Sequence, residues 1–366
     1  MRAYKTELDP NNKQCTFLAR CAGASRFAYN WGLATWKQWY EDGKKPSAYS
    51  LRKEFNAIKR EQCPWITELP YTVTEGAFYN LGAAFQNFFR RVKNGDAKVG
   101  YPKFKSRKHS RQSFKLRNTK IEHDRVRLTG IGWVRLKEHG YIPTDVIKYG
   151  TYATVSSHAG RWYISVLAYE DEPEPINDST LVIGADFGLK TLVVLSNGET
   201  FENPHCLIEA EHKLKRLQRE LSRRKKGSAN RHKTKIKLQR QHAKVANVRK
   251  HVLHNISHHV TEDLKPRTIV LEDLNVKGMQ SNHHLAKAIA DVGFAELKRQ
   301  IEYKAERHGI EVLIVDRWYP SSKTCSGCGW KNNDLTLADR TFHCPECGLE
   351  LDRDLNAARN LARLAV

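Results

Sequence analysis

The chain has 366 residues, with 62 Lys or Arg against 40 Asp or Glu, so its formal net charge is +22 at pH 7. That length allows two or three domains, and 40% apolar residues with eight Trp, fourteen Tyr and thirteen Phe exclude a wholly disordered basic tail. No run of about eighteen uncharged apolar residues exists to span a membrane, the N-terminus does not read as a secretory signal, and the surplus charge favours a polyanionic partner, nucleic acid or an anionic membrane surface.

In chain order, residues 1–15 read as an edge strand (Tyr4, Thr6, Leu8) and a turn at Asp9-Pro10. Phe17, Cys21, Ala24, Ala28 and Trp31 give one apolar stripe to a helix from Thr16 to about Tyr40. Further helices are expected over Leu51–Glu61 and Thr74–Lys93. From Arg90 to Lys120 cations alternate with aromatics, among them Arg90, Arg91, Tyr101, Lys103, Phe104, Lys105 and Phe114. That is the composition of a nucleic-acid groove, where rings stack on bases and cations hold phosphates; the same rings could instead anchor a basic loop to the core. Arg125–Leu136 and Thr151–Tyr169 read as β-structure, the latter around an Ala159-Gly160 turn, and the acidic, proline-rich stretch 170–179 reads as an interdomain linker.

After the linker the pattern becomes strand–helix–strand, which argues for an α/β domain. Leu181–Ala185 is a buried strand, a second strand follows Gly188, and Asn197-Gly198 suits a hairpin turn. Glu211–Lys250 holds sixteen Lys or Arg and two acids, with Leu214, Leu217 and Leu221, then Val245, Val248, Val252 and Ile256, at helical spacing. A turn at Gly227-Ser228-Ala229-Asn230 makes this a basic helical hairpin with Arg223, Arg224, Lys225 and Lys226 at its tip. Like charges so crowded repel unless something neutralises them, which favours phosphate over a merely solvated face. A strand over Arg267–Leu271, a long helix over His284–His308, a strand over 310–316 and a last helix over Asn356–Leu364 complete the reading.

Two sets of side chains carry chemistry. Cys325-x2-Cys328 and Cys344-x2-Cys347, fifteen residues apart, have the spacing of a four-thiolate Zn²⁺ site with no position left for substrate, hence structural. Two disulfides would be the rival arrangement, in conflict with a reducing compartment. Asp186, Glu272 and Asp273, and Asp352 and Asp354 follow apolar strands or open the last helix. Carboxylates from separate elements are what a two-metal phosphodiester hydrolysis needs, although one such acid alone could equally cap a helix or form a turn. Asp186-Phe187-Gly188 also spells a kinase triplet, but the chain has no glycine-rich loop with a strand lysine and no His-Arg-Asp loop.

The residues GADFGLKTLVVLSNG (184–198), LSRRKKGSAN (221–230), IVLEDLNVKGM (269–279), SSKTCSGCG (321–329), FHCPECG (342–348) and DRDLNAARN (352–360) resemble the TnpB (OrfB) family, transposon-associated nucleases related to type V CRISPR effectors. RFAYNW (26–31), FQNFFRRVK (85–93) and GYPKFKS (100–106) extend the resemblance over nearly the whole chain. It implies a RuvC domain of RNase H-like fold over 176–366, with the basic hairpin at 208–260 and a zinc ribbon at 318–350. Ahead of it the resemblance implies a wedge β-barrel (1–15 and 94–175) interrupted by a helical recognition domain (16–93). The family's catalytic acids fall on Asp186, Glu272 and Asp354, which would hold Mg²⁺. The implied activity is cleavage of double-stranded DNA beside a short motif, directed by a guide RNA from the transposon end, in the cytoplasm and nucleoid of a prokaryotic cell. Motif readers would lie near Tyr49, Lys53, Thr72, Glu75 and Lys115, and one protein would serve one guide. Rival readings are a non-cleaving guide-directed repressor, a strand-transfer transposase, and a membrane-surface binder that leaves acids and cysteines unexplained.

Overall fold

The structure, a computed structural model, describes residues 2–108, 110–145, 152–169, 177–336 and 338–365. Contacts divide the chain into two units that meet at residues 171 and 172. Most of the expected linker, residues 170–176, lies outside the described residues.

In the first unit β1 (Arg2–Asp9) leads into α1 (Asn12–Glu41), which opens four residues earlier than its apolar stripe predicts. The reason is a capping box: Asn11 accepts from the Gln14 backbone N–H at 2.9 Å and donates its own backbone N–H to the Gln14 side chain at 3.0 Å. Next come α2 (Ala48–Gln62), the single turn α3 (Pro64–Thr67) and α4 (Tyr71–Lys93). Trp36 and Phe85 stack at 3.8 Å between α1 and α4, and Phe55 and Phe78 fill the space beside them. The strands β2 (Ser113–Leu116), β3 (Lys120–Ile121), β4 (Arg125–Leu128), β5 (Gly132–Leu136), β6 (Ala153–His158) and β7 (Arg161–Ala168) then join β1 in one sheet, in the order β2-β6-β7-β1-β5-β4-β3.

β1 is therefore no edge strand, contrary to the sequence reading. It sits mid-sheet, antiparallel to β7 along its length and to β5 at its end. Its charged residues pair with neighbouring strands of the sheet, as Glu7 does with Arg161 at 3.0 Å.

The second unit begins with β8 (Val182–Phe187), β9 (Thr191–Leu195) and β10 (Thr200–Glu202). The basic hairpin follows as α5 (Cys206–Arg223) and α6 (Ala229–His258), the latter capped by Ser228 and continued by a π-turn at His259–Asp263. Leu214 and Val245 pack between the two helices, whereas Val248 is exposed. After β11 (Thr268–Glu272) come α7 (Val276–Ser281), α8 (Ala286–Val292), α9 (Phe294–Arg307) and β12 (Glu311–Val315). The single helix expected over 284–308 is thus two, broken at Gly293, whose φ of +80° ends α8 in the left-handed region. The chain closes with β13 (Thr341–His343), β14 (Glu350–Asp352) and α10 (Arg353–Ala362).

The central sheet has the order β10-β9-β8-β11-β12, with β8, β11 and β12 parallel and β9 and β10 antiparallel. β8 and β11 are apolar runs, as strands buried on both faces must be. Among the described residues no helix is long and apolar enough to cross a membrane.

Candidate functional site

The C-terminal ends of β8 and β11 hold two of the acids. Leu271 registers with Ala185, and the next step along these parallel strands brings Glu272 beside Asp186. The third acid comes from above. Gly184 and Asp186 face the same side of β8, and α10 lies so close there that a Cβ on Gly184 would overlap the Ala358 carbonyl oxygen and stand 2.6 Å from the Ala362 nitrogen. Two residues along a strand advance about 6.7 Å, and four residues along a helix advance about 6 Å. Stepping from Gly184 to Asp186 therefore matches stepping from Ala358 back to Asp354.

The electrostatics record the result. Asp186 keeps a solvent-facing edge, but burial, then the charges of Asp354 and Glu272, push its carboxyl up to about 7 against the pull of Arg353 and the Phe187 backbone. Glu272 is also raised, by burial and then by Asp273. Arg353 donates from Nε and Nη2 to Asp354 Oδ1 at 3.2 and 3.1 Å.

The neighbouring acids have other work. Asp352 caps α10, accepting from the backbone N–H groups of Asp354 and Leu355 at 2.9 and 3.0 Å, which leaves Asp354 in the first helical turn rather than at the cap. Asp273 is engaged by Arg317 and lies 3.9 Å from Lys298. The remaining trio offers only oxygen donors, partly buried and mutually repelling, which suits a hard divalent cation such as Mg²⁺.

Cys325, Cys328, Cys344 and Cys347 bring their sulfurs within 4.8 Å of one another, and none is in a disulfide. The Cys325–Cys347 and Cys328–Cys344 sulfur pairs are 3.6 and 3.5 Å apart. A Zn–S bond of about 2.3 Å implies tetrahedral S···S edges of about 3.8 Å, so the set fits Zn²⁺. Gly327 donates its N–H to Cys325 Sγ at 3.3 Å. The ribbon is bolted to α10 by two buried asparagines that the sequence reading missed. Ser326 N–H donates to Asn356 Oδ1 at 2.8 Å, and Asn356 and Asn360 both donate to the Thr324 carbonyl. The available signal was two asparagines four apart inside a helix that otherwise buries alanine and leucine.

The other residues singled out by sequence are dispersed. Arg223, at the end of α5, and Lys225 and Lys226, in the tip, are exposed, while Arg224 pairs with Glu220 at 2.9 Å. Arg216, Arg219, Glu220, Arg223 and Arg224 line an open cavity of about 460 Å³. In the first unit Arg91 is held by Asp96 at 2.7 Å and Arg90 donates to Asn87, while Lys103 is exposed. The Lys105 ammonium lies 3.9 Å over the buried Tyr29 ring. Tyr49 and Lys53 are exposed on α2. Thr72 and Glu75 are buried; Glu75 accepts from Arg52 at 2.5 Å and from the Tyr152 hydroxyl at 2.9 Å. Lys115 packs against Gly76. Arg52, Asn56, Lys59, Tyr71, Thr74 and Glu75 surround a cavity of about 250 Å³.

The fold is similar to that of the solved mini-RNA-guided endonuclease CRISPR-Cas phi3, the match covering all of this chain and 92% of that one, with a TM-score of 0.53 at 10% identity. A candidate RNA-guided DNA endonuclease of Streptomyces pristinaespiralis is 35% identical over 98% of this chain and 88% of its own. One from Escherichia coli, InsQ, is 31% identical over 99% and 91%. The IS605 OrfB model, described as "Probable transposase", matches residues 163–283, and the Cas12f1-like TNB domain matches 294–361. The chain belongs to the TnpB (OrfB) family, related to the type V CRISPR effectors. A helix-turn-helix model matches residues 1–45, where this structure has β1 and the single long helix α1.

Proposed function

We propose that this protein is an RNA-guided endonuclease that cuts double-stranded DNA with Asp186, Glu272 and Asp354. The observation that supports the reading is the convergence of these three carboxylates at one end of the five-stranded sheet, where burial and then the charges of Asp354 and Glu272 push Asp186 up to about 7. Their oxygens would hold two Mg²⁺ ions. When bound there, Mg²⁺ supplies Lewis acidity to the scissile phosphate and eases deprotonation of the attacking water. The carboxylates fix the geometry, and Arg353 limits the repulsion between them while the site is empty of substrate.

The basic hairpin and the rest of the +22 surplus would hold the guide RNA and the heteroduplex by their phosphates, leaving base pairing to choose the sequence. The first unit suits a wedge interrupted by a recognition part, since α1–α4 enter the chain between β1 and β2. Exposed Tyr49 and Lys53, near the cavity at Arg52 and Glu75, are the better placed of the motif-reading candidates for contact with DNA. A guide from the transposon end and a short motif beside the target complete the reading.

The test uses purified protein with its copurified RNA and a matching plasmid. Asp186→Ala and Glu272→Ala are expected to abolish cutting while target binding persists. Undiminished cleavage by either variant overturns the reading, and joined transposon-end products would replace it with strand transfer.

A further inference from the structure

At 84% exposure, Trp318 is the most exposed large apolar side chain among the described residues. An indole left in water needs a reason, because burying it would gain more than burying almost any other side chain. Its position supplies one. β12 ends at Val315, which registers with Glu272, and the Asp273 N–H donates to the Val315 carbonyl at 2.9 Å. Trp318 thus stands three residues beyond the strand that flanks the acid pair.

The far end of the same loop is tied to the third acid's helix: Asn360 of α10 donates to the carbonyls of Ser321 and Thr324 at 2.7 and 2.5 Å. Between these anchors the turn is set. The Trp318 N–H donates to Asp316 Oδ1 at 2.8 Å, the Tyr319 N–H to the Asp316 carbonyl at 3.0 Å, and Arg317 is pinned by Asp273. The indole is exposed on a turn fixed by these bonds, and both of its anchoring elements adjoin carboxylates of the proposed centre, while Arg317 and Lys298 bring cations to the neighbouring Asp273.

We propose that Trp318 is a stacking platform for an unpaired base of the DNA strand being cut, and so a positioning residue for the scissile phosphate; this rests on the nuclease reading above. Stacking accepts any base, as a cutter whose sequence choice lies elsewhere requires. A protein partner would be expected to meet a wider apolar patch than one ring.

The test measures binding of a short noncomplementary DNA oligonucleotide to the full-length protein with its RNA, all variants being made in an Asp186→Ala background so that no cutting intervenes. Trp318→Ala is expected to weaken binding about tenfold, the size of one lost base stack, and Trp318→Phe to stay within about threefold of the parent. A 5-iodouracil in the strand should crosslink to Trp318. Equal affinity of the Ala variant and the parent, or Trp318→Leu binding as well as Trp318→Phe, overturns the proposal. Cutting by the Asp186→Ala protein itself would instead overturn the nuclease reading, and leaves the stacking result to stand or fall separately.

Discussion

Asn360, almost wholly buried on α10, donates to the Thr324 carbonyl one residue before the first zinc-site cysteine. The helix that carries Asp354 is therefore seated on backbone that the cysteine cluster shapes, and β14 of the ribbon runs into α10 without a loop.

Zinc removal should consequently disable the distant acids. A structural zinc site contributes directly to folding, and losing it frees Ser321–Ser326 from Asn356 and Asn360. Cys344→Ser protein is expected to lose zinc, lose hydrogen-exchange protection over 353–362, and cut at least tenfold more slowly. Asn360→Ala, with zinc retained, should destabilise by about 1–3 kcal/mol through the Ser321 carbonyl it orphans, since Asn356 still serves the Thr324 carbonyl. Unchanged exchange over α10 in the zinc-free protein would break the link.

Gly184→Ala tests the helix–strand approach. Because the added methyl meets helix backbone rather than a yielding side chain, α10 must shift. Overpacking costs about 1–3 kcal/mol, sometimes more, and a shift of even an ångström at Asp354 can cost about a hundredfold in rate. Denaturant unfolding and cleavage kinetics should both register the change, with the rate hit harder than the stability.

Asp186 makes stability depend on pH in a defined direction. Its folded value of about 7 lies above the ordinary 3.8, so the folded state binds the proton more tightly than the unfolded chain. Magnesium-free stability should then fall as pH rises from about 4 to 7 and level off above, by at most about 1.4 kcal/mol per pH unit, less in practice because the carboxyl retains contact with solvent. Asp186→Asn removes that slope, so the variant should outlast the parent at pH 8 and match it near pH 4 in zinc-replete, magnesium-free buffer. Parallel pH profiles for the two proteins would contradict the assignment.

The hairpin tip is testable through salt. Replacing Arg223, Arg224, Lys225 and Lys226 by Gln should weaken RNA binding and reduce the slope of log affinity against log salt by about 3, if most of the four touch phosphates. Arg224 should contribute least, since Glu220 already holds it. An unchanged slope would mean the tip points away from the RNA.

The sequence revealed these features unevenly, for physical reasons. Cysteine spacing reports the zinc ribbon because metal geometry leaves little freedom. Asp186 and Glu272 stood out because each follows an apolar run, and Asp354 because it adjoins the last helix; the structure brings the three close enough to repel. The place of β1 was hidden because Lys5 and Glu7 look the same on a solvated face as on an edge, and only their pairing partners Ser165 and Tyr163, more than 150 residues later, distinguish them. Gly293 was hidden because a mid-helix glycine costs only about 1 kcal/mol and need not end a helix. Asn356 and Asn360 take their meaning from carbonyls more than thirty residues away.

The last consequence concerns synthesis. Asp354 sits on the final helix of the described chain, long after β8, β11 and the cationic hairpin have been made. On the proposed function, a ribosome-bound product would carry its cationic hairpin before it has all three carboxylates, and could not cut DNA until α10 docks. A fragment that stops short of Arg353 would carry the grip without the blade and compete with intact copies for the same RNA.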